Sequence, residues 1–250
     1  MKPTFLNHGK ALLTVMVQAD NPDRIKELIG KALPEGAEAF GIQLERMKPE
    51  FRKTEIYKDL FSYKKDKPVY ITNYRSGFNE GKTDGHLAEE LLELASCGAT
   101  LCDVMGDYFD KQPDELSVDK TAIHKQIKLI DELHKKGAEV LISSHVLKFT
   151  PAERVLEIAL AHQHRGADIS KIVTGADTME QQIENLRIIN LLKENLKIPF
   201  LFLCGGECHI LRRIGGELGC CMYLCVYEYD ELATPEQPLL RKVKAIRDNM

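Results

Sequence analysis

The chain of 250 residues is expected to fold as one (β/α)8 barrel of the TIM type, a single domain over residues 1–250. Three observations predict this. The length equals that of one typical barrel of this kind. Short apolar runs alternate with longer amphipathic segments from end to end, the rhythm of repeated βα units. No Pro/Gly/Ser-rich linker or low-complexity tract divides the chain.

In order, the first apolar run is 11–17, and the amphipathic segment 23–32 follows it as a helix. A second strand is expected at 39–44, after which 48–63 carries a mixed pattern and is the first weak unit. Strand 69–73 precedes helix 86–96, and strand 101–104 precedes helix 119–136. Strand 138–142 leads to helix 151–164, whose start is signalled by Thr150 ahead of Pro151, with Glu153 three residues beyond the threonine. Strand 169–173 and helix 178–196 make the sixth unit. Strand 200–204 is followed by the second weak segment, 208–218, and strand 222–226 by helix 238–248. Strands separated by helices must pair in parallel and are buried on both faces, which explains their continuous apolar runs. Eight such units favour a closed barrel over an open sheet.

Composition narrows the function. Hydrophobic residues make up 44% and charged residues 29%, as in soluble globular proteins. A net charge of −4 lacks the basic surplus of a nucleic-acid footprint, so no nucleic-acid partner is expected. The segment 1–10 has no apolar signal core and no later run is long enough for a membrane span. A cytoplasmic protein without a membrane partner is expected, its seven cysteines reduced and outside any disulfide framework. Cys204, Cys208 and His209 lack the close paired spacing of a zinc site, so no metal is expected. Neither phosphate-binding glycine motif is present, and no cofactor is implied.

In a barrel, chemistry gathers at the C-terminal ends of the strands. There the chain places Gln43, Glu45 and Arg46, then Asn73 and Arg75, Asp103, Ser143, Ser144 and His145, Lys171, and finally Glu207, His209, Arg212 and Arg213. Lys171 lies between Ile169 and Ile172 in a strand expected to be buried. Burial disfavours an ammonium and yields the free amine that attacks carbonyls. The alternative is a strand-end lysine that snorkels to water or pairs with a carboxylate such as Asp103. His145, at a strand-to-loop transition, suits proton transfer beside such a lysine, or else caps the strand. The histidines at 124, 134, 162 and 164 fall in helical patterns and are expected at the surface.

These segments together resemble type I 3-dehydroquinate dehydratase. The stretch from Ile142 through His145 to Pro151 resembles the family's catalytic-histidine segment, and Ala167 to Ile172 its Schiff-base-lysine segment. Thr72 to Arg75 with Glu80 and Gly81 resembles the arginine and acidic loop after the third strand. Arg213 with Gly216 and Glu217, then Pro235 and Gln237, resembles the carboxylate-binding arginine and the loop that closes the site. The resemblance spans nearly the whole chain. It implies a cytoplasmic hydro-lyase of the shikimate route to aromatic amino acids. Lys171 would form a Schiff base with 3-dehydroquinate and His145 would act as general acid and base, giving 3-dehydroshikimate. Arg46, Arg75, Glu80, Arg213 and Gln237 would bind a small keto-acid substrate, with a homodimer as the assembly to test.

The chain departs from the family around that pair. Leu44 stands two positions before Arg46, where the family has a hydroxyl-binding acid, and Glu45 falls on the opposite face of a regular strand. Leu44→Glu is therefore expected to favour the dehydroquinate reaction. Asn79 replaces the third-loop carboxylate unless the loop is one residue longer and presents Glu80. Met105 replaces an acid, Arg212 a serine, and Ala233 and Glu236 a serine and a glycine. Two alternatives follow: a related Schiff-base lyase acting on a different carbonyl acid, and a ligand-binding barrel that turns nothing over.

Overall fold

The computed structural model describes residues 3–63 and 66–250; Met1 and Lys2 of the polar amino-terminal segment lie outside them. Its elements run β1 (Leu12–Val17), α1 (Pro22–Ala32), β2 (Ala39–Gln43), α2 (Thr54–Tyr63), β3 (Val69–Thr72), α3 (Asp84–Ser96), β4 (Leu101–Met105), α4 (Lys120–Lys135), β5 (Glu139–His145), α5 (Ala152–His164), β6 (Ile169–Gly175), α6 (Met179–Asn195), β7 (Phe200–Gly205), α7 (Leu211–Leu218), β8 (Met222–Cys225) and α8 (Leu240–Arg247). The strands form one sheet in the order β7-β6-β5-β4-β3-β2-β1-β8, with every ladder parallel. Where β8 meets β7, the Cys221 amide donates to the Phe200 carbonyl at 2.9 Å, and α7 packs on both strands. The result is a nearly closed (β/α)8 barrel. No helix among the described residues is long and apolar enough to cross a membrane.

Side-chain alternation divides the core in two. Leu13, Val15, Phe40, Ile42, Val69, Ile71, Val104 and Ile142 face outward into the helix layer, and Leu12, Met16, Leu101, Leu141, Ile169 and Leu201 fill the barrel in a second cluster that also takes in Val155, Ile158 and Ile188 of α5 and α6. Phe5 plugs the amino-terminal end, its ring edge-on to Tyr70 at 6.4 Å and its amide donating to Glu139.

Capping sets several helix starts. Asn21, Thr83, Asp119 and Thr178 each accept from an amide in the first turn of α1, α3, α4 and α6, a contact that contributes about 1 kcal/mol. Helix α5 starts differently from expectation. Pro151 precedes its first residue, and the Thr150 hydroxyl donates to the Lys148 carbonyl, so it caps nothing. The mixed patterns of the second and seventh units also have local causes. A 3-10 turn, Pro49–Phe51, precedes α2. In α7, a Cβ on Gly216 would stand 2.3 Å from the Tyr223 ring and 2.6 Å from Ala11 Cβ, so close packing on β8 requires glycine in mid-helix.

His162 corrects the expectation of a surface histidine. It is fully buried, bridging the Ser144 and Ser170 hydroxyls at 3.0 Å each. Burial, with the Arg165 guanidinium adding to it, lowers its pKa to about 3. The neutral ring is therefore the folded form, and between pH 6.5 and 3 the unfolded chain binds the extra proton. Stability from this residue is complete above pH 6.5 and lost as pH falls, with a limiting slope of about 1.4 kcal/mol per pH unit. Thermal melts of wild type and His162→Gln across pH 7.5 to 4 should converge as pH falls; a constant gap excludes the histidine as the cause.

Candidate active site

The carboxyl ends of the strands surround a cavity of about 390 Å³ lined by Lys171, His145, Tyr74, Thr72, Thr174, Arg212, Glu236 and Gln237, among others. This size suits a small metabolite. Lys171, only 4% exposed, occupies the centre of β6. Its Nζ donates to Tyr74 Oη at 2.7 Å, to Tyr70 Oη at 3.1 Å and to Asp103 Oδ2 at 3.4 Å. Two strands separate β6 from β3, so a lysine on one can reach tyrosines on or just after the other only through the barrel interior. Asp103 is itself buried. It accepts both tyrosine hydroxyls on Oδ2 and the Ser143 hydroxyl on Oδ1 at 2.5 Å. Burial first, and then the Asp103 charge, hold both phenols well above the ordinary tyrosine range, so both stay protonated.

His145 is the last residue of β5, a strand that runs three residues beyond its expected end. Its ring meets Tyr74 edge-on at 5.1 Å. Glu115, in the loop between β4 and α4, accepts from His145 Nδ1 at 2.8 Å and from the His145 amide at 2.7 Å. Burial raises the Glu115 carboxyl, but the hydrogen bond and charge of His145 outweigh it and leave the group below its usual range. A carboxylate on Nδ1 fixes the proton there and leaves Nε2 as the basic nitrogen. The loop is held by the Ser144 hydroxyl, which donates to the Glu115 carbonyl at 2.7 Å. That carbonyl would lie 2.3 Å from a Cβ on Gly106, so the approach needs glycine. Glu115 also adopts a φ of 45°, and Leu147, overhanging the cavity, one of 58°. Two non-glycine residues held in left-handed backbone flank one site, a concentration of strain typical of functional loops. Glu115→Gln should lower kcat on the order of 100-fold with a smaller effect on KM, measured by steady-state kinetics; unchanged kcat removes Glu115 from the site's working parts.

The other expected residues separate. Gln237 lines the cavity with Lys171 and His145; it is 5% exposed and its Oε1 has no hydrogen-bond partner among the described residues. Thr174, also a lining residue, is buried with an unpartnered Oγ1. Arg213 is not in the lining, and its neighbour Arg212 is. One residue along a helix turns a side chain by about 100°, so only one of two adjacent arginines can face the mouth. Arg212 Nε donates to the Cys204 carbonyl at 2.8 Å. Burial pulls its guanidinium below the ordinary value, with the charge of Glu236 opposing. Arg75 is committed elsewhere, forked onto Asp84 at 2.7 and 2.8 Å and bonded to Asp107 at 2.7 Å. Glu80 is exposed and Asn79 is buried in its place, bonded to Asn73 and the Tyr74 carbonyl.

Arg46 lines a neighbouring cleft of about 730 Å³ with Glu45, Arg24 and Asp230, and its buried Nε is unpartnered. The strand before it is not regular. It ends at Gln43 and a 3-10 turn, Leu44–Arg46, follows, so Glu45 points inward rather than to the opposite face. Its carboxylate accepts from the Thr72 hydroxyl at 2.9 and 3.0 Å, and burial pushes its pKa up, opposed by those hydrogen bonds. Leu44 is 1% exposed and packed in the outer core. Leu44→Glu would thus bury a charge away from the cavity instead of restoring a hydroxyl partner.

The tyrosines and Glu115 are the additions sequence reasoning missed, whereas Asp103, expected as a carboxylate partner for Lys171, does pair with it at 3.4 Å. Period two along β3 and its extension places 70, 72 and 74 on one face, with Asn73 turned to α3, so that signal was present. For Glu115 none was. Among the described residues, no group of three or more His, Cys, Asp and Glu side chains is arranged to hold a metal ion.

A family model described as type I 3-dehydroquinase matches residues 13–247. A 3-dehydroquinate dehydratase of Alkaliphilus oremlandii (strain OhILAs) is 37% identical over 106 residues, 42% of this chain and 40% of that protein. The matched stretch thus spans two fifths of that relative's length. The barrel superimposes on a type I 3-dehydroquinate dehydratase from Clostridium difficile, solved with covalently modified comenic acid, with a TM-score of 0.80, 16% identity and coverage of 97% and 93% of the two chains. For the 3-dehydroquinate dehydratase from Geobacillus kaustophilus HTA426 the values are 0.81, 13%, 96% and 92%.

Proposed function

Because the chain belongs to the type I 3-dehydroquinase family, we propose that it is a hydro-lyase that dehydrates 3-dehydroquinate to 3-dehydroshikimate through a Schiff base on Lys171. The observation that carries this reading is a buried lysine amine sharing one small cavity with a histidine whose far nitrogen is held by a carboxylate. Lys171 Nζ attacks the ring ketone and water leaves, forming an iminium. His145 Nε2 takes a proton from the adjacent carbon, and the electrons drain into the iminium to give an enamine. The enamine then expels the β-hydroxyl, which takes the proton from His145 and departs as water. Hydrolysis of the imine frees the product and the lysine.

Arg212 binds the substrate carboxylate, and the unpartnered Gln237 Oε1 and Thr174 Oγ1 take substrate hydroxyls. Unpaired buried polar atoms in a cavity wall are costly unless a ligand completes them, which favours a polar occupant over an apolar one. Glu236 in the same wall favours one variant of this reading, a related keto acid that tolerates a second carboxylate nearby. The seven unpaired cysteines fit residence in the cytoplasm.

The test is borohydride reduction in the presence of 3-dehydroquinate, followed by mass measurement of the Lys171 peptide and, in parallel, by the ultraviolet signal of the enone product. An adduct on Lys171 with turnover supports the proposal. An adduct without turnover transfers the chemistry to another keto acid, and no adduct with any candidate ketone overturns the enzyme reading.

A further inference from the structure

We propose that Tyr74 is a further catalytic residue, carrying protons between Lys171 Nζ and the buried carboxylate of Asp103 while the imine forms and is hydrolysed. The inference rests on the Schiff-base reading above.

Tyr74 alone among the neighbours of Nζ touches everything the step requires. Its oxygen is 2.7 Å from Nζ, its hydroxyl donates to Asp103 Oδ2, and the residue lines the substrate cavity. Tyr70 makes the same two contacts at a longer 3.1 Å from Nζ, but it is fully buried and outside the cavity lining. Asp103 approaches Nζ only at 3.4 Å and is likewise sealed from the cavity. His145 spends its recorded hydrogen bonds on Glu115, and it meets Tyr74 ring to ring. The array therefore reads Nζ–H to Tyr74 oxygen, and Tyr74 O–H to Asp103.

The chemistry balances on this array. The Lys171 ammonium gives a proton to Tyr74 as Tyr74 gives its own to Asp103, leaving a neutral amine, a neutral phenol and a protonated carboxyl. The amine bonds to the substrate carbonyl carbon, the C=O π pair moves to oxygen, and one N–H proton transfers to that oxygen to give the carbinolamine. Asp103 then returns its proton through Tyr74 to the carbinolamine hydroxyl. The C–O bond breaks, the nitrogen lone pair forms C=N, and water leaves. Asp103 ends ionised and Tyr74 neutral, as they began, and one water is released per iminium. Phenols that burial keeps protonated have a proton to pass at each stage. Without the relay, the proton must cross directly to Asp103 over 3.4 Å or pass through Tyr70, which is outside the cavity lining.

The experiment is rapid-quench borohydride trapping of Lys171 with 3-dehydroquinate, read as the rate of adduct formation. If wild-type Lys171 is not trapped, the Schiff-base reading fails and the relay falls with it. With wild type trapped, Tyr74→Phe should slow trapping about 100-fold. The same variant should keep the wild-type melting temperature and bind a carboxylate inhibitor without a carbonyl within about threefold, while Tyr70→Phe slows trapping by less than about tenfold. Trapping of Tyr74→Phe at the wild-type rate overturns the relay and leaves the Schiff base standing. If that variant does not fold, a fluorotyrosine in place of Tyr74 keeps the shape and makes the phenol more acidic. A changed trapping rate then supports the relay, and an unchanged one overturns it.

Discussion

Lys171→Met should abolish covalent trapping and lower kcat by about 10⁴- to 10⁶-fold, the scale on which removal of a covalent nucleophile acts. Methionine approximates the lysine stem, so the barrel centre stays filled. The loss of Nζ leaves Asp103 with two phenols and Ser143 but no cation. That should cost about 1–3 kcal/mol of stability, because the carboxylate remains buried. Thermal melts and steady-state rates on one preparation separate the two effects: a modest fall in melting temperature with near-complete loss of turnover is expected. A variant retaining a tenth of wild-type kcat would show that no imine on Lys171 lies on the reaction path.

The second large effect concerns the two adjacent arginines. Arg212→Ala should raise KM for a keto acid about 10- to 100-fold, since a charge-assisted hydrogen-bonded pair contributes about 1.5–3 kcal/mol. Arg213→Ala should change KM less than about threefold, the scale of a charge outside the cavity lining. Arg212 lines the cavity, keeps Nε on the Cys204 carbonyl, and has no ion-pair partner among the described residues. Its two terminal nitrogens are thus available for a forked contact with a carboxylate, and burial makes that charge worth neutralising. Steady-state kinetics and titration with a simple carboxylate inhibitor should agree. The reverse ranking, with Arg213→Ala the weaker binder, would refute the assignment and restore the motif's own register.

Much of the barrel was legible in the chain because parallel strands bury both faces and therefore write themselves as apolar runs. The runs at 101–104 and 200–204 lie within one residue of β4 and β7. The second and seventh helices were obscure for a different reason. Gly216 breaks the helical pattern because Tyr223 on β8 and Ala11 leave no room for a side chain. Lys171 and His145 stood out because a polar residue at the end of an apolar strand is conspicuous. Apart from Asp103, their partners did not. Glu115 reaches His145 from a sequence distance of thirty residues, through a loop whose path is set by Gly106, Ser144 and the buried His162.

Local pattern was enough for the (β/α)8 architecture, the end of the barrel where polar residues collect, and the lysine–histidine pair, because burial and side-chain alternation act residue by residue along each strand. The rest turned on long-range packing. A 3-10 turn after Gln43 replaced a period of two with one of three and carried Glu45 inward while Leu44 joined the core. The rotation of α7 against β7 and β8 chose Arg212 over Arg213 for the cavity. The curl of the sheet brought Tyr70 and Tyr74, next to Asp103 on the neighbouring strand, across two strands to Lys171. Each of these depends on where a neighbouring element sits within an ångström or two, and that distance is set by packing among residues far apart in the chain, which no local pattern encodes.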